Sequence, residues 1–398
     1  MKNAGLLDAQ SGSVSFCGII AIEDCLHVFM PKAFKSRDNK LEDARLLLSS
    51  IRKYAQNRGS ISSLNDLVTG EIIGISPVIA VDLLQDYLQT GLYKNTVPEI
   101  RHQTSGKIAW PQVIKSKIPF LRDDNTPVYP ELLVRKLNYF SSNDVTRIHA
   151  AVIAYLDSLF GWYFTGTEKL AAPELHGCKL PFHSKRAVLV LKRELRKIFA
   201  DREMRLLKNL IAILEKMPVE DKNDADIVTG LSSFEHVWED ICSVIYQNEG
   251  YRFRGEIPYP AYTYAGGRHE PAKSNKQRMD LIIQQGDKIA ILDAKYYDFA
   301  RSSPGWGDIV KQLYYVKSLS AVMPDKKFLN YFVVPAPDAG ELPRQIRILD
   351  KGEKPLDADF PPVNILYTDV RQAMRDYVSG KINPLYRDEV FGGMAIAA

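Results

Sequence analysis

The sequence predicts an α+β / α/β protein in two parts: an N-terminal mixed α+β region, then a C-terminal core built on a central mixed sheet flanked by helices. Three observations carry that prediction. Residues 278–295 hold two short β-branched runs, Met279 to Gln284 and Ile289 to Ala294, around the turn-forming Gln285-Gly286-Asp287-Lys288, which reads as a β-hairpin. Helix-period and strand-period segments alternate on both sides of it. A polar break, Asp221-Lys222-Asn223-Asp224-Ala225-Asp226, supplies a boundary. The expected division is therefore residues 1–220, with subdomains at 1–95 and 96–220, and residues 221–398, and a fragment beginning near Asp221 is expected to fold alone.

Composition sets the class. The chain has 398 residues, 45% hydrophobic and 25% charged, with a formal charge of +4. That is a globular composition with ample core, and any nucleic-acid affinity must come from local clustering. Cys17, Cys25, Cys178 and Cys242 form no CxxC pair, which argues against a zinc site or a disulfide framework. No run approaches a membrane span and no secretory leader is evident, so a cytoplasmic protein without a membrane is expected.

Taken in order, Phe16 to Phe34 reads as a hairpin, and Leu41 to Ala55 and Pro77 to Tyr93 as helices. Residues 95–140 are rich in turn formers and carry Pro98, Pro111, Pro119, Pro127 and Pro130, so edge strands or an ordered connector are expected. Asn143-Asp144 opens a helix through Trp162, and Lys185 to Lys216 is one long helix or two in series. Its cations, among them Arg193, Arg196, Lys197 and Arg205, form either a solvated face or a surface that tracks phosphates. Ser232-Ser233 caps a helix from Phe234 to Asn248, Asp308 opens another, Phe328 to Val334 and Val363 to Tyr367 are strands, and Asp369 to Val378 is a closing helix.

The hairpin carries the chemistry. Asp280 near the start of its first strand and Asp293 near the end of its second lie side by side in an antiparallel pair, and Asp293 and Lys295 share a face. Two carboxylates and an ammonium at a sheet edge suit metal-assisted phosphodiester hydrolysis, because hard oxygens hold Mg²⁺ and a neighbouring Lys orients water or offsets phosphate charge. A lone D…DxK is equally an ordinary surface hairpin with charged ends.

The surrounding motifs decide between them. The order helix, strands, helix, strand with D…DxK at its centre resembles the PD-(D/E)xK nuclease core. Phe234-Glu235-His236-Val237-Trp238-Glu239, Leu292-Asp293-Ala294-Lys295-Tyr296-Tyr297 and Asp308-Ile309-Val310-Lys311-Gln312-Leu313-Tyr314-Tyr315 resemble the McrC-like restriction subunits, most closely the LlaJI restriction endonuclease family. Gly18-Ile19-Ile20, Val28-Phe29-Met30-Pro31-Lys32 and Gly106-Lys107-Ile108-Ala109-Trp110 look like that family's upstream signatures. Departures are Pro271, nine residues before Asp280 rather than adjacent, Asp293 where some members carry Glu, and Lys311 where McrC relatives often carry Gln.

The resemblance implies a restriction (anti-phage) endonuclease subunit that cleaves double-stranded DNA. It implies Asp280, Asp293 and Glu239 as ligands of Mg²⁺, with Mn²⁺ able to substitute, and Lys295 as the catalytic lysine. Gln312, Tyr315 and Asp308 become supporting residues, with core packing the stronger expectation for Tyr315. The chain carries no GxxxxGK[ST] motif, so the resemblance points to a separate McrB-like AAA+ GTPase or ATPase, within a system that also contains a DNA methyltransferase. Two rivals remain: a stand-alone repair or transposon-associated nuclease, and a DNA-binding or assembly module without catalysis.

Overall fold

The computed structural model describes residues 16–22, 25–36, 39–58, 72–102, 107–140, 143–217, 227–274, 276–297, 299, 302–336 and 340–392. The polar break at 221–226 lies outside them.

The chain begins with the predicted hairpin, β1 (Cys17–Ile22) and β2 (Cys25–Phe29), paired antiparallel with Ile19 opposite Val28. Helix α1 (Lys40–Asn57) follows, its first turn closed by the Asn39 side chain accepting from the Glu42 N–H at 3.1 Å. Strand β3 (Ile72–Gly74) and helix α2 (Pro77–Thr90) come next, and Gly91 ends α2 at φ +75°.

Residues 79–223 form a unit of their own. Strand β4 (Asn95–His102), β5 (Lys107–Ile108), α3 (Trp110–Ser116), β6 (Phe120–Leu121), β7 (Pro127–Val128) and β8 (Leu133–Phe140) lead into α4 (Asp144–Thr165), α5 (Ser184–Leu195) and α6 (Asp201–Leu214). The turn-rich stretch therefore contains two eight-residue strands paired from end to end, more regular than its prolines suggest. Pro98 lies on β4, an edge strand of the β4-β8-β5 sheet, the place in a sheet where proline is tolerated. The basic segment is two helices rather than one, separated at residues 196–200.

After the break come β9 (Ile227–Leu231), α7 (Glu235–Ile245), the short pair β10 (Ala261–Thr263) and β11 (His269–Pro271), then β12 (Leu281–Gln285) and β13 (Lys288–Ala294). Helix α8 (Trp306–Val322), β14 (Lys327–Pro335), β15 (Gln345–Ile346), β16 (Val363–Thr368), α9 (Val370–Ser379) and α10 (Leu385–Phe391) complete the chain. The main sheet runs β12-β13-β14-β16-β15 and is mixed: β12 is antiparallel to β13, β13 to β14 and β14 to β16 are parallel, and β15 is antiparallel to β16. Period-2 alternation explains its two faces. Leu281, Ile283, Ala290, Leu292 and Val333 pack with Trp238, Ile241 and Ile245 of α7 and with Met374 and Tyr377 of α9. Ile282, Ile289 and Ile291 pack on Tyr315, Val316 and Leu319 of α8. A parallel pair covered on both faces must be apolar on both, and β13 is buried from Ile289 to Ala294.

The N-terminal segment belongs to this core. Residues 1–78 and 224–398 form one unit. A second sheet, β2-β1-β9-β3, pairs β1 with β9, Ile19 opposite Thr229. Their approach requires Gly230, where a Cβ would meet the Cys17 carbonyl oxygen at 2.4 Å and the Phe16 ring at 2.7 Å. Leu47, Ile51 and Tyr54 of α1 join the α7–α9 cluster. Buried Arg371 of α9 donates from Nε to Asp43 Oδ1 of α1 at 2.8 Å, and Ser36 Oγ donates to Asp43 Oδ2 at 2.7 Å. The division expected at residue 220 is thus drawn differently: β9 joins a core that already contains β1, β2, β3 and α1, because β9 pairs with β1 and β3 and α9 packs with α1.

Arg371→Ala should destabilise this unit by about 3–5 kcal/mol, the usual effect of stranding one member of a buried ion pair, and urea unfolding measures it. A fragment of residues 221–398 should be insoluble alone and soluble when co-expressed with residues 1–78. Cooperative unfolding of the lone fragment would contradict the shared core.

Candidate active site

The turn between β12 and β13 uses Gly286 at φ +63°, a left-handed conformation suited to a tight hairpin. It fixes Leu281 opposite Leu292, so that Asp280 and Asp293 stand one residue beyond, at the open end. Asp280 Oδ2 accepts the Ala294 N–H at 3.0 Å, tying the two strand ends together. Asp293 is 2% exposed. Beyond it the Lys295 N–H donates to the Val333 carbonyl at 2.9 Å, which extends the parallel ladder with β14 and sets the Lys295 side chain on the α8 face with Asp293.

There the Lys295 ammonium lies between two carboxylates, 2.8 Å from Asp293 Oδ2 and 2.9 Å from Asp308 Oδ1. The Asp293 contact is an ion pair rather than a directed hydrogen bond, since Oδ2 has no well-aligned donor. Asp308 stands in the first turn of α8, and its other oxygen accepts the Tyr297 O–H at 2.7 Å. Burial works against a charged Lys295, but Asp293 and Asp308 outweigh it and raise its pKa, so the group is a firm cation. Burial also opposes ionisation of Asp308, yet the Tyr297 and Lys295 donors prevail and hold it low. Asp280 goes the other way. Burial, then repulsion from Asp293 and Glu239, pushes it up to about 7 despite the Ala294 N–H and Lys295.

The structure brings Asp280, Asp293, Lys295 and Asp308 together at one sheet end. Glu239 on α7 acts on Asp280 through its charge, while its side chain contacts His236 Nδ1 at 3.3 Å on the same helix. Gln312 is buried and cross-links the sheet, donating from Nε2 to the carbonyls of Ile291 and Tyr331 at 3.2 Å each. Tyr315 packs in the core and donates its O–H to the Arg278 carbonyl at 2.7 Å, as expected of a packing residue. Lys311 lies over the Tyr315 ring, 5.6 Å from its centroid. Arg193, Arg196, Lys197 and Arg205 belong to the other unit; Lys197 pairs with Glu194 at 3.0 Å. Sequence reasoning missed Tyr297, although the alternation that aligns Asp293 with Lys295 extends to it.

A hard divalent cation fits this end of the sheet in one specific way. Among the described residues no three His, Cys, Asp or Glu side chains are gathered to hold a metal by themselves. Two carboxylates are: Asp293 already faces the Lys295 ammonium, whereas Asp280, raised by burial and by the Asp293 and Glu239 charges, forms no ion pair among the described residues. Mg²⁺ takes one or two carboxylates and completes its shell with water and phosphate. No helix among the described residues is long and apolar enough to cross a membrane.

The Asp280 shift predicts a pH dependence of stability. Its pKa is about 7 in the fold against 3.8 unperturbed, so between those values the folded state binds the extra proton. Stability from this group is present below pH 3.8 and lost as pH rises through about 7. Asp280→Asn should therefore raise the thermal midpoint at pH 8 without divalent ions, by an amount on the order of 1–4 kcal/mol in stability. Added Mg²⁺ should stabilise the unsubstituted chain and not the variant; calorimetry at pH 5 and pH 8 checks both.

Comparison with known proteins agrees with the motifs. A type II restriction enzyme component, BsuMI component YdjA of Bacillus subtilis (strain 168), is 22% identical over 403 residues, covering 96% of this chain and 84% of its own length. Among solved structures, a half-complex from a tetradecameric assembly of Thermococcus gammatolerans McrB AAA+ hexamers with bound McrC aligns over 95% of this chain and 86% of the matched one, with 14% identity and a TM-score of 0.42. The sequence model of the LlaJI restriction endonuclease family matches residues 16–349, and the chain belongs to that family.

Proposed function

We propose that this chain is the DNA-cleaving subunit of a restriction system, and that its main sheet is a PD-(D/E)xK core hydrolysing phosphodiester bonds of double-stranded DNA. One observation carries the reading: in a restriction endonuclease family, Asp280, Asp293 and a cationic Lys295 converge at one end of the sheet. Asp280 and Asp293 would hold Mg²⁺, with Mn²⁺ able to substitute for it. Glu239 contributes through water. When bound, the cation lowers the pKa of a water and offsets charge on the phosphate.

The chain's own residues supply the rest. Asp280, whose pKa burial and the Asp293 and Glu239 charges raise, would be held as the carboxylate once a cation offsets that repulsion. Lys295, already protonated, holds the attacking water or a phosphate oxygen and stabilises the negative charge that builds up there; a group held between two carboxylates serves as an electrostatic partner rather than a base. Asp308 fixes Lys295, and Tyr297 fixes Asp308. The chain's lack of a GxxxxGK[ST] motif leaves nucleotide-driven motion to a separate AAA+ GTPase or ATPase, in a system associated with a DNA methyltransferase.

Asp280→Ala, Asp293→Ala and Lys295→Ala should each cut cleavage by about 10²–10³-fold or more while DNA binding persists. Asp308→Asn should lower cleavage less, leaving Lys295 on Asp293 alone. The assay is plasmid cleavage with Mg²⁺, with and without the motor and nucleotide. Undiminished cleavage by Asp293→Ala would exclude this active site, and cleavage by the chain alone without nucleotide would remove the motor from the account.

A further inference from the structure

The stretch that leads into Asp280 has no role in the chemistry above. Residues 251–278 carry Arg252, Arg254, Arg268, Lys273, Lys276 and Arg278 against Glu256 and Glu270, a net formal charge of +4 and as much as the whole chain carries. Two of the cations are neutralised: Arg252 pairs with Glu249 at 2.6 Å and Arg268 with Glu270 at 3.3 Å. Arg254, Lys273 and Arg278 are exposed and meet no carboxylate within ion-pair distance among the described residues. Every residue of β10 and β11 is exposed, including Tyr262, and so are Tyr259 and Tyr264 beside them. These rings hold cations in place: the Arg268 guanidinium lies 4.5 Å from the Tyr264 ring centroid, and the Lys276 ammonium 5.5 Å from that of Tyr259.

The base of this stretch is rigid. Phe253 and Ile257 are buried against Ile282, Ile289 and Ile291 of the hairpin. Lys276 Nζ donates to the Arg254 carbonyl at 2.7 Å and so closes the stretch on itself. At its exit Ser318 Oγ of α8 donates to Gln277 Oε1 at 2.9 Å, and Tyr315 holds the Arg278 carbonyl two residues before Asp280. A fixed, exposed surface of cations and aromatic rings thus runs directly into the catalytic carboxylates. Phosphate is the partner that matches it: cations displace the counterions of the duplex, and Arg pairs with phosphate oxygens.

Resting on the reading of this chain as a DNA nuclease, we propose that residues 251–274 and 276–278 form the surface that grips the sugar–phosphate backbone of duplex DNA and seats it against Asp280 and Asp293. Contacts to the backbone position the duplex without reading its sequence. The surface therefore supplies affinity and register at the scissile phosphate, and sequence choice lies elsewhere.

The test is fluorescence anisotropy with a labelled random-sequence duplex and the full chain carrying Asp293→Ala, titrated between about 50 and 200 mM salt. Replacing Arg254, Lys273 and Arg278 with Gln should reduce the slope of log affinity against log salt by about 2–3 units, equally on duplexes of unrelated sequence. Glu256→Gln with Glu270→Gln, which removes negative charge from the same surface, should strengthen binding. An unchanged slope in the triple variant, or no salt-dependent duplex binding by the parent, overturns the proposal. So does unchanged or weakened binding in the double variant. The catalytic reading fails separately: cleavage that survives Asp293→Ala sinks the active site whatever the slopes show.

Discussion

Everything at the open end of the β12–β13 hairpin depends on holding negative charge at the end of an apolar sheet. Asp293 is buried and Asp280 stands beside it, so their carboxylates repel at close range in a poorly solvated place. The protein answers with Lys295, held at its backbone and at its ammonium. Its N–H is tied to Val333, its ammonium lies between Asp293 and Asp308, and the next residue, Tyr296, accepts the Lys32 N–H on its hydroxyl at 2.6 Å. Charge that a cation and a phosphate would complete is thus stored in the fold, and part of the stability is given up for it.

The contact with Lys32 shows what the described N-terminal elements do. The exit of β13 is held by the N-terminal segment, and the helix packed on the far side of α7 and α9 is α1, locked by the Asp43–Arg371 pair. Residues far apart in sequence therefore set where Lys295 sits. Substitutions in α1 or β1 should be read first as changes in the core that carries Lys295.

Much of the site was legible in the sequence. Alternation placed Asp293 and Lys295 on one face, the turn chemistry at Gly286 set the register, and both follow from local rules. The Asp308 helix start was legible too, but its bond to Lys295 was not, because it depends on how the crossover helix returns over the sheet. Strand β9 was missed since it is short, contains Gly230 and follows a polar run; only its pairing with β1, more than 200 residues earlier in the chain, makes it a strand. In the 95–140 stretch the expected edge strands are there, β4 with Pro98 and β5, but turn formers gave no sign of β8, the central strand that both pair with. Domain limits failed with β9: a polar break marks where the chain returns to a core, and does not reveal that the core began upstream.

The most direct test of the central claim is where a divalent cation binds. Crystals of the full chain soaked in Mn²⁺ and measured at the manganese edge should show an anomalous peak ligated by Asp280 and Asp293, with Lys295 still held by Asp308. The peak should vanish in Asp293→Ala. Manganese bound elsewhere with Asp280 and Asp293 bare, or a peak unchanged in Asp293→Ala, would contradict the account.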